Sequence, residues 1–186
     1  MARALVLIDG NNFYFRLKDL SAQLDGKFSL LQFGFRAFAE WLVKPNDLVE
    51  IRYYIGALRR QNTERSEKLY ADQQKLIRKL QQQRITVVLG QLIQHPDKSF
   101  HEKGVDVRLA VEMIRLARED RHDVAYLVSS DTDLMAAVEE VQSLGKIVRY
   151  VGTARRQSFG LTKAVKNNIV LLRPEDVQPF LPALLV

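Results

Sequence analysis

Tyr126-Leu127-Val128-Ser129-Ser130-Asp131-Thr132-Asp133 is the stretch from which the fold can be read. An apolar run with strand character stops at two carboxylates spaced i and i+2, and helical periodicity begins at Leu134. The same event occurs near the start of the chain, where Val6-Leu7-Ile8 ends at Asp9-Gly10-Asn11-Asn12. A third acid, Asp106, follows the turn Lys103-Gly104-Val105 and opens another amphipathic helix. If the two strands belong to one parallel sheet, Asp9, Asp106, Asp131 and Asp133 converge at its carboxyl edge, where open α/β sheets bind ligands. Like charges gathered in one cleft repel unless a cation sits between them, and a hard divalent ion suits an all-oxygen set.

Outward from these segments the chain alternates between two periods, as a parallel α/β fold requires. Apolar, β-branched runs are predicted as strands at Ala4–Ile8, Leu48–Ile55, Arg84–Leu92, Val124–Val128, Ile147–Val151 and Ile169–Leu172. Helices are predicted over Leu30–Leu42, Thr63–Gln83, Asp106–Arg118 and Leu134–Leu144. The second carries Leu69, Leu76, Ile77 and Leu80 as its inner stripe. The expected architecture is a three-layer α/β/α sandwich around a mainly parallel sheet, with right-handed crossovers. No repeat, linker or low-complexity tract interrupts residues 1–186, so a single domain is expected. The apolar tail Phe180 to Val186 is expected to dock on it.

Composition narrows the function classes. The 186 residues are 47% hydrophobic and 27% charged, an ordinary globular balance. No uncharged apolar stretch reaches the length of a membrane span, and no cysteine is available for disulfides, thiolate metal sites or thiol catalysis. The expected compartment is cytoplasmic. His95, His101 and His122 lack zinc-ligand spacing and read as surface residues. Each acid also has a plainer role: Asp9-Gly10 as a turn, Asp106 in the first turn of a helix, Ser130-x-x-Asp133 as a capping box. Capping leaves unexplained why acids close two buried strands and why two of them stand at i and i+2.

Taken together, Ile8-Asp9-Gly10-x-Asn12, Lys103-Gly104-Val105-Asp106 and Leu127-Val128-Ser129-Ser130-Asp131-Thr132-Asp133-Leu134 resemble the three signatures of the NYN domain, the LabA-like branch of the PIN-like nuclease superfamily. The resemblance runs from Leu5 to about Leu172. It implies a PIN-like α/β/α sandwich and metal-dependent cleavage of RNA. Asp9, Asp106, Asp131 and Asp133 match the acids that hold Mg²⁺ or Mn²⁺, and Asn12 matches a position that shapes the site. The third motif of the family usually reads Ser-Gly-Asp-Ser-Asp-Phe; Ser130 and Leu134 stand here in place of its Gly and Phe.

Charge distribution points to the same kind of partner. Of a net charge of +6, Gly145–Pro174 holds seven Lys or Arg and no acid, and Arg59–Arg84 holds eight against three acids. Basic surface beside an acidic pocket suits a polyanion gripped by its phosphates. Arg155, Arg156, Lys103 and Lys163 are the candidate phosphate contacts. Tyr53, Tyr54 and Phe13 to Phe15 read as core aromatics. The alternative function is an RNA-binding or regulatory scaffold with this fold and no chemistry. Three further classes lack their motifs: an Asp-x-Asp phosphatase, a Gly-x-Gly-x-x-Gly dinucleotide enzyme and a P-loop NTPase. A sugar transferase using Asp131-x-Asp133 leaves Asp9 and Asp106 idle. Oligomeric state is open, with a homodimer among the options.

Overall fold

The structure is a computed structural model. It describes residues 1–24, 29–58, 60, 63–94, 100–155 and 157–182, with side chains undescribed at 91–94 and 100–103. Strand β1 (Arg3–Asp9) is apolar at every position from Ala4 to Ile8, as befits a strand covered on both faces. It lies at the centre of a seven-stranded sheet with β2 (Asp47–Gly56), β3 (Thr86–Gln94), β4 (Phe100–Lys103), β5 (Val124–Val128), β6 (Ile147–Thr153) and β7 (Ile169–Leu172). The order is β4-β3-β2-β1-β5-β6-β7. All neighbours run parallel except β4, which pairs antiparallel to the end of β3. The α/β architecture is therefore the one expected from the alternating periods.

Two helical layers follow from the two-residue alternation within the strands. Ala4, Val6 and Ile8 face one layer, made of α1 (Gly10–Ser21), α2 (Phe35–Leu42), α3 (Glu64–Gln82) and the short α7 (Pro174–Val177). Leu5 and Leu7 face the other, made of α4 (Val105–Arg118), α5 (Met135–Ser143) and α6 (Phe159–Val165). No helix among the described residues is long and apolar enough to cross a membrane.

The structure departs from the sequence reading in several places. Leu30–Leu42 is a 3₁₀ turn, Leu30–Gln32, followed by α2, with extended backbone at Phe33 between them. The Gly34 N–H donates to the Phe180 carbonyl at 2.8 Å, and the interruption lets the rings of Phe13, Phe33, Phe35 and Phe38 interlock edge to face or tilted. Phe180 closes over Phe38 and Trp41, which docks the C-terminal segment as far as Leu181; residues 183–186 lie outside the described residues. On α3, Leu69 is 50% exposed, and buried Gln73 takes its place on the inner stripe. The Gln73 amide donates to the Gly56 carbonyl at 2.6 Å and accepts from the Leu58 N–H at 2.8 Å, so it terminates β2 where an apolar chain could not. β4 and α6 had no period long enough to be read.

His122, expected at the surface, is fully buried before β5, and neither ring nitrogen has a hydrogen-bond partner among the described residues. Burial, with the Lys146 ammonium nearby, pulls its pKa from 6.5 down to about 4. The unfolded chain therefore takes up a proton between pH 6.5 and 4 that the folded protein resists, and stability falls as pH falls through that window. Urea denaturation across pH 4.5 to 7.5 should show the stability of the parent relative to His122→Leu dropping below pH 6.5 and constant above pH 7; a constant difference throughout would refute the assignment.

Candidate functional site

The site begins with register. Ile8 lies opposite Val128, so the next residues, Asp9 and Ser129, leave the sheet side by side. Asp9 is 5% exposed. One carboxylate oxygen accepts the Asn12 N–H at 3.0 Å, capping α1, and the other accepts the Ser129 hydroxyl at 3.0 Å. The Ser129 oxygen in turn accepts the Asp131 N–H at 3.1 Å. One hydroxyl thus links the first and third acidic motifs. Asp131 caps the 3₁₀ turn Thr132–Leu134 through a 3.0 Å bond from the Asp133 N–H.

Gly10 lets this happen. A β-carbon on it would stand 2.4 Å from the Tyr53 ring and 2.7 Å from the Tyr54 carbonyl oxygen. Any larger residue pushes the start of α1, and Asp9 with it, off β2. Opposite, Gly104 adopts φ +84° and turns the chain out of β4 into α4, setting Asp106 in the first helical turn. Helix α4 is anchored from below. Arg52 donates to Glu112 at 2.8 Å, and the Tyr54 hydroxyl donates to the same oxygen at 3.0 Å. Burial opposes the Glu112 charge, yet these bonds hold its carboxyl below the ordinary range.

Asp9, Asp106 and Asp131, with Asn11, Asn12 and Phe15, line one cleft of about 400 Å³. Burial raises the Asp9 pKa; the Asn12 N–H and the Ser129 hydroxyl oppose that rise, and the Asp131 charge adds to it. The donors are oxygen-only, the chemistry that a hard cation takes. Among the described residues no three acidic or imidazole groups form a closed cage as placed. The fit to a metal is therefore one of donor type and shared cleft, with both Asp9 oxygens already engaged in hydrogen bonds.

The remaining candidates fall elsewhere. Asp133 is exposed on its turn and does not line the cleft. Arg155 lines a separate cavity beyond β6 and β7, and Lys163 is exposed on α6. The Lys103 side chain and all of Arg156 lie outside the described residues. Phe15, read from the sequence as a core aromatic, is 50% exposed in the cleft, whereas Phe13 is core. The separating signal was available: Phe13, Leu17 and Leu20 form the buried stripe of α1, and Phe15 lies off it.

The sequence model of the NYN domain matches residues 3–172. This chain belongs to the NYN domain family. That membership places it in the PIN-like nuclease superfamily. The fold is also similar to the crystal structure of a protein of unknown function from Vibrio parahaemolyticus, with a TM-score of 0.63 and 23% identity, covering 97% of this chain and 96% of that one. No curated protein matches the chain. Within this NYN domain the two motif departures turn inward. The Ser130 hydroxyl bonds to the buried Tyr150 hydroxyl at 3.1 Å, and Leu134 is core.

Asp9→Asn preserves the shape of the cap while removing a buried charge, so its unfolding midpoint should equal or exceed that of the parent. Gly10→Ala should lose about 1–3 kcal/mol of stability through overpacking. Thermal and urea unfolding of the two variants check both expectations.

Proposed function

We propose that this NYN domain is a metal-dependent ribonuclease of the LabA-like branch, acting as a single domain over residues 1–186. The observation that carries the reading is the joint lining of one carboxyl-edge cleft by Asp9, Asp106 and Asp131. Three carboxylates, one of them buried and raised in pKa, make a poor binding site for a polyanion on their own. With a divalent cation among them the sign of the cleft reverses. A bound Mg²⁺ or Mn²⁺ supplies a water of lowered pKa and a counter-charge for the phosphoryl oxygens.

Asp9 and Asp131 would hold such an ion, and Asp133, on the exposed turn beside Asp131, would join through a water. Asp106 faces the pair from α4 and orients the attacking water, accepting its proton as the new P–O bond forms. The displaced ribose oxygen leaves as the old P–O bond breaks and takes a proton from solvent. Asn12 donates to a phosphate oxygen. Phe15 offers an apolar face on which an unpaired base can stack. Lys103, Arg155, Arg156 and Lys163 add positive charge for the strand, in keeping with the net charge of +6.

Purified protein incubated with labelled RNAs should cut them in Mn²⁺ or Mg²⁺ and not in EDTA. Asp131→Asn should remove the metal-dependent cleavage while remaining folded, and Asp106→Asn should slow it by roughly 10²–10⁴-fold. Full turnover by folded Asp131→Asn would sink the ligand assignment. RNA binding without cleavage in any metal would instead assign the domain to a non-catalytic RNA-binding role.

A further inference from the structure

The acidic cleft is not the end of the carboxyl edge. Beyond β6 and β7 lies a second cavity of about 520 Å³, larger than the cleft and of opposite character. Leu20, Ala22, Ala154, Leu172 and Pro174 contribute apolar lining, and the basic residues Arg155 and Arg173 line it too. Arg155 has no carboxylate partner among the described residues. Among the described residues the ion pair of Arg173 is an exposed 3.9 Å contact with Glu175, of the kind that contributes little and yields readily to another anion. The loop that carries Arg155 is fixed from beneath, because the buried Thr153 hydroxyl donates to the Arg155 carbonyl at 2.7 Å.

Helix α1 joins the two sites. Its N-terminus carries Asp9 and Asn12 into the cleft, and its C-terminal end carries Asp19 and Leu20 into the cavity. Asn11, Phe15, Lys18 and Ala22 recur at helical spacing along its exposed side. The solvent face of α1 is thus a track with an aromatic ring and a cation between the two sites.

We propose that the β6–β7 cavity is a second nucleotide subsite for the same strand, taking one nucleotide unit several positions from the cleavage point. This rests on the reading of the cleft as an RNA site. The phosphate meets Arg155 and Arg173, and the base covers the apolar lining. The volume is of the order that a single small-molecule ligand fills. Asp19 on the same wall adds a negative charge that disfavours a bare anion. From Asn11 to Ala22 the helix rises about 16 Å, or roughly five nucleotides at the ~3.4 Å spacing of a stacked strand.

The test is equilibrium binding of fluorescein-labelled oligouridylates of three to twelve nucleotides in Mg²⁺, with Asp106→Asn carried in every protein of the binding assay so that cutting is slow while the cleft keeps the cation it needs to take a strand. The parent should show a step in affinity as length passes about six. Arg155→Ala/Arg173→Ala should shrink the gain from three to twelve nucleotides by on the order of 10-fold. It should also lower the salt slope of the 12-mer by about 1.4, as expected for two lost contacts on a single strand. A circular dichroism spectrum like the parent's verifies folding of the double variant. The same length step and salt slope in parent and variant would overturn the subsite, as would the absence of any step. A parent that binds with the step but cuts no RNA in any metal would overturn the nuclease reading and leave the subsite standing.

Discussion

The Asp9 carboxylate is 5% exposed and receives two hydrogen bonds, one from the Asn12 N–H and one from the Ser129 hydroxyl. Those bonds tie the end of β1 to the start of α1 and to the loop after β5, a sequence separation of 120 residues. A buried charge costs stability unless it is bonded, and here the bonding also fixes the local chain path. The Asn12 bond sets where α1 begins, and the Ser129 bond sets how the chain leaves β5. Ser129 then orders Asp131 through the Asp131 N–H. The geometry of the whole carboxyl edge descends from this one satisfied carboxylate.

Around it, close packing leaves little room for alternatives. Tyr53 lies against Gly10, and its hydroxyl donates to the Gly10 carbonyl at 3.2 Å. On the other face the Tyr150 hydroxyl meets Ser130 and receives the Ser158 N–H, linking the third acidic motif to the start of α6. The acidic motifs are therefore held from both helical layers by tyrosines on neighbouring strands. The departure Ser130 is accommodated because its hydroxyl finds a partner in that network. Such support is what a site needs if its acids are to stay close while repelling one another.

The carboxyl edge also divides by charge. Acids gather at β1, β5 and the start of α4, where strand order places the ends of β1 and β5 side by side. Arginines gather at the ends of β6 and β7. Helix α1 spans both regions because it crosses from the end of β1 to pack against α7, with Leu20 in one core with Val151, Leu172 and Val177. On the proposed reading, a strand following this edge would pass from a region that needs a cation to one that supplies positive charge itself. On that reading the asymmetry would give a polyanion a direction along the protein surface.

The acids, the strands that carry them and the α/β class were legible in the sequence, because burial on both faces demands continuous apolar runs and the turn to a helix demands a cap. Those are local requirements, written in neighbouring residues. The partition of the motif residues was not legible. Asp9, Asp106 and Asp131 share a cleft while Asp133 stands outside it, and Arg155 serves a different cavity. Gln73 and His122 were not legible because distant elements decide their burial, whereas the exposure of Phe15 could have been read from its place off the buried stripe of α1. The sequence by itself determined the six parallel strands and where their carboxylates fall along the chain. The placing of β5 beside β1, the path of α1 and the register of Ile8 on Val128 were decided only by the tertiary structure, because they depend on contacts between residues more than a hundred positions apart.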